Sequence, residues 1–242
     1  MTARRIVLAA MVLCLCRLGW TDDVDLSKPF KVDGDTVHLF HMDDVATGKM
    51  KDDAGGGPAV VKDATEVEGK FGKAMSCDGT KGWADVTDPP LAENMWAMTV
   101  ECWVNLKDTS KGDIICRNVA YMIRVNKTIT AMMWIDGKWG TITGSKEIPV
   151  GKWTHVAMTY DQTDKQMKIY VDGTLDVAKV PDGITDGNLV IKGNLLRLGT
   201  NDWRPDGGDI NGALDEVRVS SVARTYKPIA AEEVKPAETP KQ

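Results

Sequence analysis

The chain has no apolar run long enough to cross a membrane as a helix. Its longest, Ile6 to Cys16, has 11 residues, against the roughly 20 that a span requires. It has no basic run either, and its formal charge is -5. Affinity for a phosphate backbone comes mainly from clustered Lys and Arg, so nucleic acid is excluded as a partner. Cysteine is scarce. Of the five, Cys14 and Cys16 fall inside the apolar run, leaving Cys77, Cys102 and Cys116. No CxxC or Cys/His spacing suggests zinc. No long stretch keeps a helical period, which argues against an α-rich fold. Phenylalanine and tyrosine are few, three and four, whereas tryptophan occurs eight times. The aromatic surface is therefore mostly indole.

What is present at the N-terminus is Arg4-Arg5 ahead of Ile6–Cys16, with polar residues resuming at Arg17. A positive segment followed by a short apolar one is the layout of a secretory signal peptide, predicting a protein of the extracellular space or cell envelope. A buried N-terminal helix is the alternative. A cut after Cys16 places small residues where a signal peptidase reads, and Gly19 is a second option. Neither cysteine follows a small residue as a lipoprotein cysteine would. In an exported protein the three remaining cysteines form either one disulfide plus a spare thiol, Cys102 with Cys116 across a hairpin near Thr109, or three small buried hydrophobes.

From Thr36 onward the pattern is one of short strands. Asp-Gly recurs at Asp33, Asp78, Asp136, Asp172, Asp182, Asp186 and Asp206. Met98, Val100, Cys102, Val104 and Leu106 form a period-two apolar face, with Thr99, Glu101, Trp103 and Asn105 opposite. Val156, Met158 and Tyr160 repeat the pattern, as do Met167, Ile169 and Val171. Many short alternating segments with frequent turns predict an all-β sandwich or barrel. Asp136-Gly137 and Asp172-Gly173 sit between apolar strands, and Asp-Gly is favoured at the centre of a type I′ hairpin turn. With two loop residues in the first, Trp134 falls opposite Trp139. The domain is expected over residues 36–226, after a loose polar lead-in at 17–35. A Pro-, Glu- and Lys-rich tail follows at 227–242, with too little apolar surface to fold.

Five segments in order resemble the laminin-G-like domains of the concanavalin A-like lectin/glucanase superfamily. Leu39 to Asp44 resembles the opening strand. Ala74 to Gly79 followed by Trp83 to Val86 resembles a strand–FDG–strand signature, and Thr99 to Val104 the "TVEAWV" strand. Gly151 to Asp161 followed by Met167 to Gly173 resembles the "GKWTHVAVTYD…LYVDG" hairpin. Gly212 to Val219 resembles the closing "IDEVRIY" strand. The resemblance implies a concanavalin A-like jelly-roll sandwich of two antiparallel sheets. It does not name a ligand, because the fold hosts many functions.

Three chemistries are then open. Glycoside hydrolysis in retaining enzymes needs two carboxylates roughly 5 Å apart, and the resemblance implies acidic residues at alternating strand positions. Glu101 is the nearest analogue, but its i+2 neighbour is Trp103, and no E-x-D-x-x-E motif occurs. A non-catalytic module is the expectation, with His155 a structural residue of the hairpin. Binding of a glycan or an extracellular protein rests on indoles, whose flat apolar face and single N–H suit both partners. Trp83, Trp96 and Trp203 lie beside turns, Trp134 and Trp139 pair across a hairpin, and Trp103 and Trp153 coincide with scaffold positions. The Trp134/Trp139 pair is either a recognition surface or a packing pair. The rival to a lectin-like role is a structural or adhesion protein that self-associates into homo-oligomers.

The third chemistry is a structural Ca²⁺, which the resemblance places between the closing and N-terminal strands. Asp215 shares a parity with Val217 and Val219, so an inward-facing carboxylate there needs a partner. By matching positions Asp43 and Asp52 add oxygens, with backbone carbonyls near Gly79 completing the shell. Asp215 capping a turn, or pairing with Arg218 or Arg197, is the alternative.

Overall fold

A computed structural model describes residues 23–87, 95–110, 112–193, 195–201 and 208–229. The apolar N-terminal run, Trp203 and the tail beyond residue 229 lie outside the described residues. Among the described residues sixteen strands account for nearly all the regular structure. They are β1 Thr36–Phe40, β2 Lys49–Met50, β3 Ala59–Lys62, β4 Thr65–Glu68, β5 Lys73–Asp78, β6 Trp83–Thr87, β7 Ala97–Leu106 and β8 Gly112–Arg117. The rest are β9 Tyr121–Asn126, β10 Thr128–Ile135, β11 Lys138–Glu147, β12 Thr154–Asp161, β13 Gln166–Val171, β14 Thr174–Lys179, β15 Leu195–Leu198 and β16 Asn211–Ser220.

They form two antiparallel sheets. The first runs β14-β13-β12-β7-β16-β5-β4, and β1 lies end to end with β5 along the same side of β16. The second runs β11-β10-β9-β8-β15-β6-β3-β2. Alternation fixes which residues meet between them. Met98, Val100, Cys102, Val104 and Leu106 of β7, with Val156, Met158 and Tyr160 of β12, face Ile123, Val125, Ile129, Ala131 and Met133 of the second sheet in one core. Fully burying each such side chain contributes roughly 1.5–3 kcal/mol.

Both Asp-Gly hairpins form as their chemistry requires. Ile135 pairs with Lys138 and Val171 with Thr174. Asp136 and Asp172 both have φ of 52°, and Gly137 and Gly173 have φ of 75° and 72°, the doubly left-handed geometry of a type I′ turn.

Three expectations are corrected. β7 and β8 belong to different sheets, so Cys102 and Cys116 do not face each other across a hairpin. Among the described residues no disulfide forms, and Cys77, Cys102 and Cys116 are all buried, the other reading left open by the sequence. In the lead-in, the described part from residue 23 is packed rather than loose, with Leu26 and Phe30 both buried. Finally, a β-bulge interrupts the pairing of β16 with β7 between Asp215 and Arg218. Glu216 there has φ of 50°, and the extra residue reverses the alternation. Leu214, Val217 and Val219 enter the core, while Asp215 lies opposite Trp103 on the outer face.

Candidate functional site

The outer face of the second sheet carries the sharpest constellation. On β10 the residues Ile129, Ala131, Met133 and Ile135 are buried, so Thr130, Met132 and Trp134 point outward and are half-buried. Trp134 pairs with Trp139 of β11. Their rings meet edge to face, centroids 5.3 Å apart at 85°, an arrangement the aromatic quadrupole favours. The turn joining them is clamped. The Asp136 carboxylate accepts from the backbone N–H groups of Thr185, Asp186 and Gly187 at 3.0 Å and of Asn188 at 2.8 Å. Burial works against its charge, yet these four donors hold its pKa at about 2.

Beside the indoles lie Met132 and, opposite it on β9, Met122. Arg124 Nε of β9 donates to Asp113 at 2.6 Å. The face thus combines an indole pair with a guanidinium–carboxylate pair, a mixture able to meet both the C–H face and the hydroxyls of a sugar.

The other expected tryptophans do not join this pair. Trp83 is on the same sheet, but on β6, four strand spacings from β10. At about 4.8 Å per spacing it is on the order of 20 Å away. Its indole N–H is buried without an acceptor. Trp96 stands by itself ahead of β7, 67% exposed. Trp103 is buried in a second cluster with Leu26, Phe30, Leu39, Ala157, Tyr170 and Tyr226, and Trp153 packs against its edge.

That second cluster covers the outer face of the first sheet. Glu101 is fully buried there. It accepts from Arg218 Nε at 2.8 Å and lies 3.0 Å from His155 Nε2. Burial opposes its ionisation, but the Arg218 charge prevails and holds its pKa below the usual value. Phe30 packs on the Arg218 guanidinium at 4.1 Å and meets His155 edge-on. Tyr226 lies 5.0 Å from the His155 ring. The two terminal segments pair at Val24 and Tyr226. Arg224 binds Ser220 Oγ and Asp33, both at 2.8 Å. Sequence reasoning found Glu101 and His155 but missed this covering strap. Leu26 and Phe30 are lone apolar residues in a polar stretch, and only the register of β7 with β12 and β16 creates the slot they fill.

Residues 78–230 match the family model of the concanavalin A-like lectin/glucanases superfamily. The chain belongs to that superfamily. Among solved structures, domain 4 of AbnA, an extracellular arabinanase from Geobacillus stearothermophilus in complex with arabinotriose, is 20% identical with a TM-score of 0.60. The match covers 79% of this chain and 94% of that one. Botulinum neurotoxin type C, whose passage into cells depends on two ganglioside molecules, is 15% identical with a TM-score of 0.57. The binding domain of botulinum neurotoxin DC in complex with SialylT is 15% identical with a TM-score of 0.55. These two matches cover 78% and 79% of this chain, which spans about half the neurotoxin chains, 48% and 49%. At such identities the likeness is one of fold. No curated protein matches the sequence.

The calcium ligands implied by the superfamily can be set against the geometry. Asp215 Oδ2 accepts from the Phe71 N–H at 2.9 Å, and Asp43 Oδ1 from the Lys73 N–H at 2.7 Å. Both carboxylates therefore pin the turn between β4 and β5. Asp52 is committed elsewhere. Its Oδ2 lies 2.6 Å from His38 Nδ1, and its Oδ1 accepts from Leu39 and Ala54 at 3.0 Å. Gly79 sits at the far end of β5, its N–H on the Ile210 carbonyl, on the order of 15 Å from Asp215 along the strand. Calcium takes six to eight oxygens, and these four residues do not converge on one point. Among the described residues no three His, Cys, Asp or Glu side chains cluster to hold a metal. The set does not fit the ion.

Proposed function

We propose that this protein is a non-catalytic glycan-binding module whose recognition surface is the outer face of the second sheet, centred on Trp134 and Trp139. The observation that carries the reading is the pair itself. Two half-buried indoles are set edge to face on a clamped hairpin, in a fold whose other outer face is largely covered by its own terminal segments. A rigid aromatic platform loses little entropy when a sugar stacks on it. The neighbours support the same class of ligand, since the arabinanase domain is seen with arabinotriose and the neurotoxin domain with SialylT.

Glu101 supports the non-catalytic part. A hydrolytic carboxylate must reach the scissile bond, whereas Glu101 is buried between Arg218 and His155. Arg4-Arg5 with the apolar run to Cys16 supports export, so the glycans in question are extracellular ones.

A glycan array followed by titration calorimetry tests the reading. The protein is expected to bind at least one oligosaccharide, and W134A/W139A to weaken it by roughly 10- to 100-fold, as loss of aromatic anchors does. Absence of sugar binding together with concentration-dependent assembly would replace the lectin-like role with self-association. Polysaccharide turnover lost in E101Q would make it an enzyme.

A further inference from the structure

At one end of the sandwich the β4–β5 turn, the β11–β12 connection and the β13–β14 turn meet around a cavity of about 520 Å³. This is within the size range of small-ligand sites, roughly 300–1,000 Å³. It is lined by Lys70, Lys146, Lys152, Trp103, Trp153 and Asp172. Three features set it apart from ordinary surface.

The first is convergent positive charge. Lys70, Lys146 and Lys152 come from three separate segments, and none of them forms an ion pair among the described residues. Of the two acids in the lining, Asp172 uses Oδ1 to accept the His155 N–H at 3.0 Å, and Glu147 is exposed at the rim. The second is an unspent donor, since the Trp103 indole N–H is buried and has no acceptor. The third is a stacking surface. Trp153 is only half-buried, and the Lys70 ammonium already lies 4.5 Å from the Trp103 ring centroid.

We propose that this cavity binds an acidic saccharide. One sugar ring rests on Trp153, and its carboxylate or sulfate accepts hydrogen bonds from the ammonium groups of Lys70, Lys146 and Lys152. Charge-assisted bonds of this kind are the strong ones, and an indole offers the apolar face of a sugar ring what a lysine cluster alone would not. The site is independent of the Trp134–Trp139 face, and either can exist without the other.

Titration calorimetry on the intact protein at low salt decides it. The probes are an oligogalacturonate tetramer, a heparin-derived tetrasaccharide, the carboxyl-reduced neutral tetramer and hexaglutamate. At least one of the two anionic sugars is expected to bind, and its affinity to fall as salt is raised. The galacturonate and heparin arms separate carboxylate from sulfate recognition. K70A/K146A/K152A changes only exposed side chains. It is expected to keep the parent melting temperature and to weaken binding by about tenfold. W134A/W139A is expected to leave this binding unchanged. Equal affinity for the neutral tetramer or for hexaglutamate overturns the proposal, as does an unaffected lysine variant. So does silence from both anionic sugars, or loss of their binding in W134A/W139A.

Discussion

Asp215 has one carboxylate oxygen on the Phe71 N–H and the other buried without a partner. Burial is the main cause that raises its pKa from 3.8 to about 7. A carboxyl raised in the folded state is held in its neutral form there. Its contribution to stability is therefore complete below the unfolded value near 4, and is lost as pH rises towards 7. A shift of this size corresponds to at most about 4 kcal/mol. Asp215→Asn removes the ionisation while keeping an acceptor for Phe71. The variant is expected to melt higher than the parent at pH 8 and close to it at pH 4, read by thermal denaturation across that range. A parent whose stability is flat between those values would show that the group is already compensated. Asp136 shows the opposite sign. Its depressed pKa of about 2 makes it stabilising above pH 4, a contribution that fades as pH falls towards 2. Asp136→Asn replaces one acceptor of four backbone amides with a donor, so a loss of roughly 1–3 kcal/mol is expected, together with altered fluorescence from the Trp134–Trp139 hairpin.

At the scale of elements, legibility depended on whether a strand keeps its period. β7 reads directly from sequence, because Met98 to Leu106 alternate without interruption and pair in register with β12. Both Asp-Gly hairpins read equally well, since turn type and loop length determine each other. β16 did not, because a bulge at Glu216 has no signature in an otherwise regular alternation. Parity counted backward from Val219 therefore put Asp215 on the wrong face. The N-terminal strap was hidden for another reason. Its apolar residues are sparse and find their slot only after distant strands have assembled. Phe30, at 4% exposure, has its backbone N–H on Glu216 Oε2 at 2.6 Å and its ring against Arg218 and His155. Phe30→Ala is expected to cost about 3–5 kcal/mol, measured as a fall in the denaturant midpoint. A loss below 1 kcal/mol would mean that the strap only rests on the sheet.

Across the whole molecule the two outer faces differ: terminal segments cover one, and the other leaves the Trp134–Trp139 pair half-buried. The sandwich was readable because turns, periodicity and five ordered motifs agree. The site was only half readable. Strand register brought Trp134 and Trp139 together, but nothing local in the sequence says which outer face the termini will cover. On the covered face Trp103 is 1% exposed, so Trp103→Ala is expected to cost about 3–5 kcal/mol. On the open face the indoles are half exposed, and an edge-to-face pair adds roughly 0.5–1.5 kcal/mol beyond its burial. For a domain of this size 1 kcal/mol moves the melting temperature by about 2–4 °C. W134A/W139A is therefore expected to melt within a few degrees of the parent, and W103A about 6 °C or more below it. Measured beside glycan affinity, this comparison tells a recognition pair from a packing pair. A recognition pair loses binding and keeps its melt. If W134A/W139A instead falls as far as W103A, the indoles hold the second sheet together and the binding surface must be sought elsewhere on the molecule.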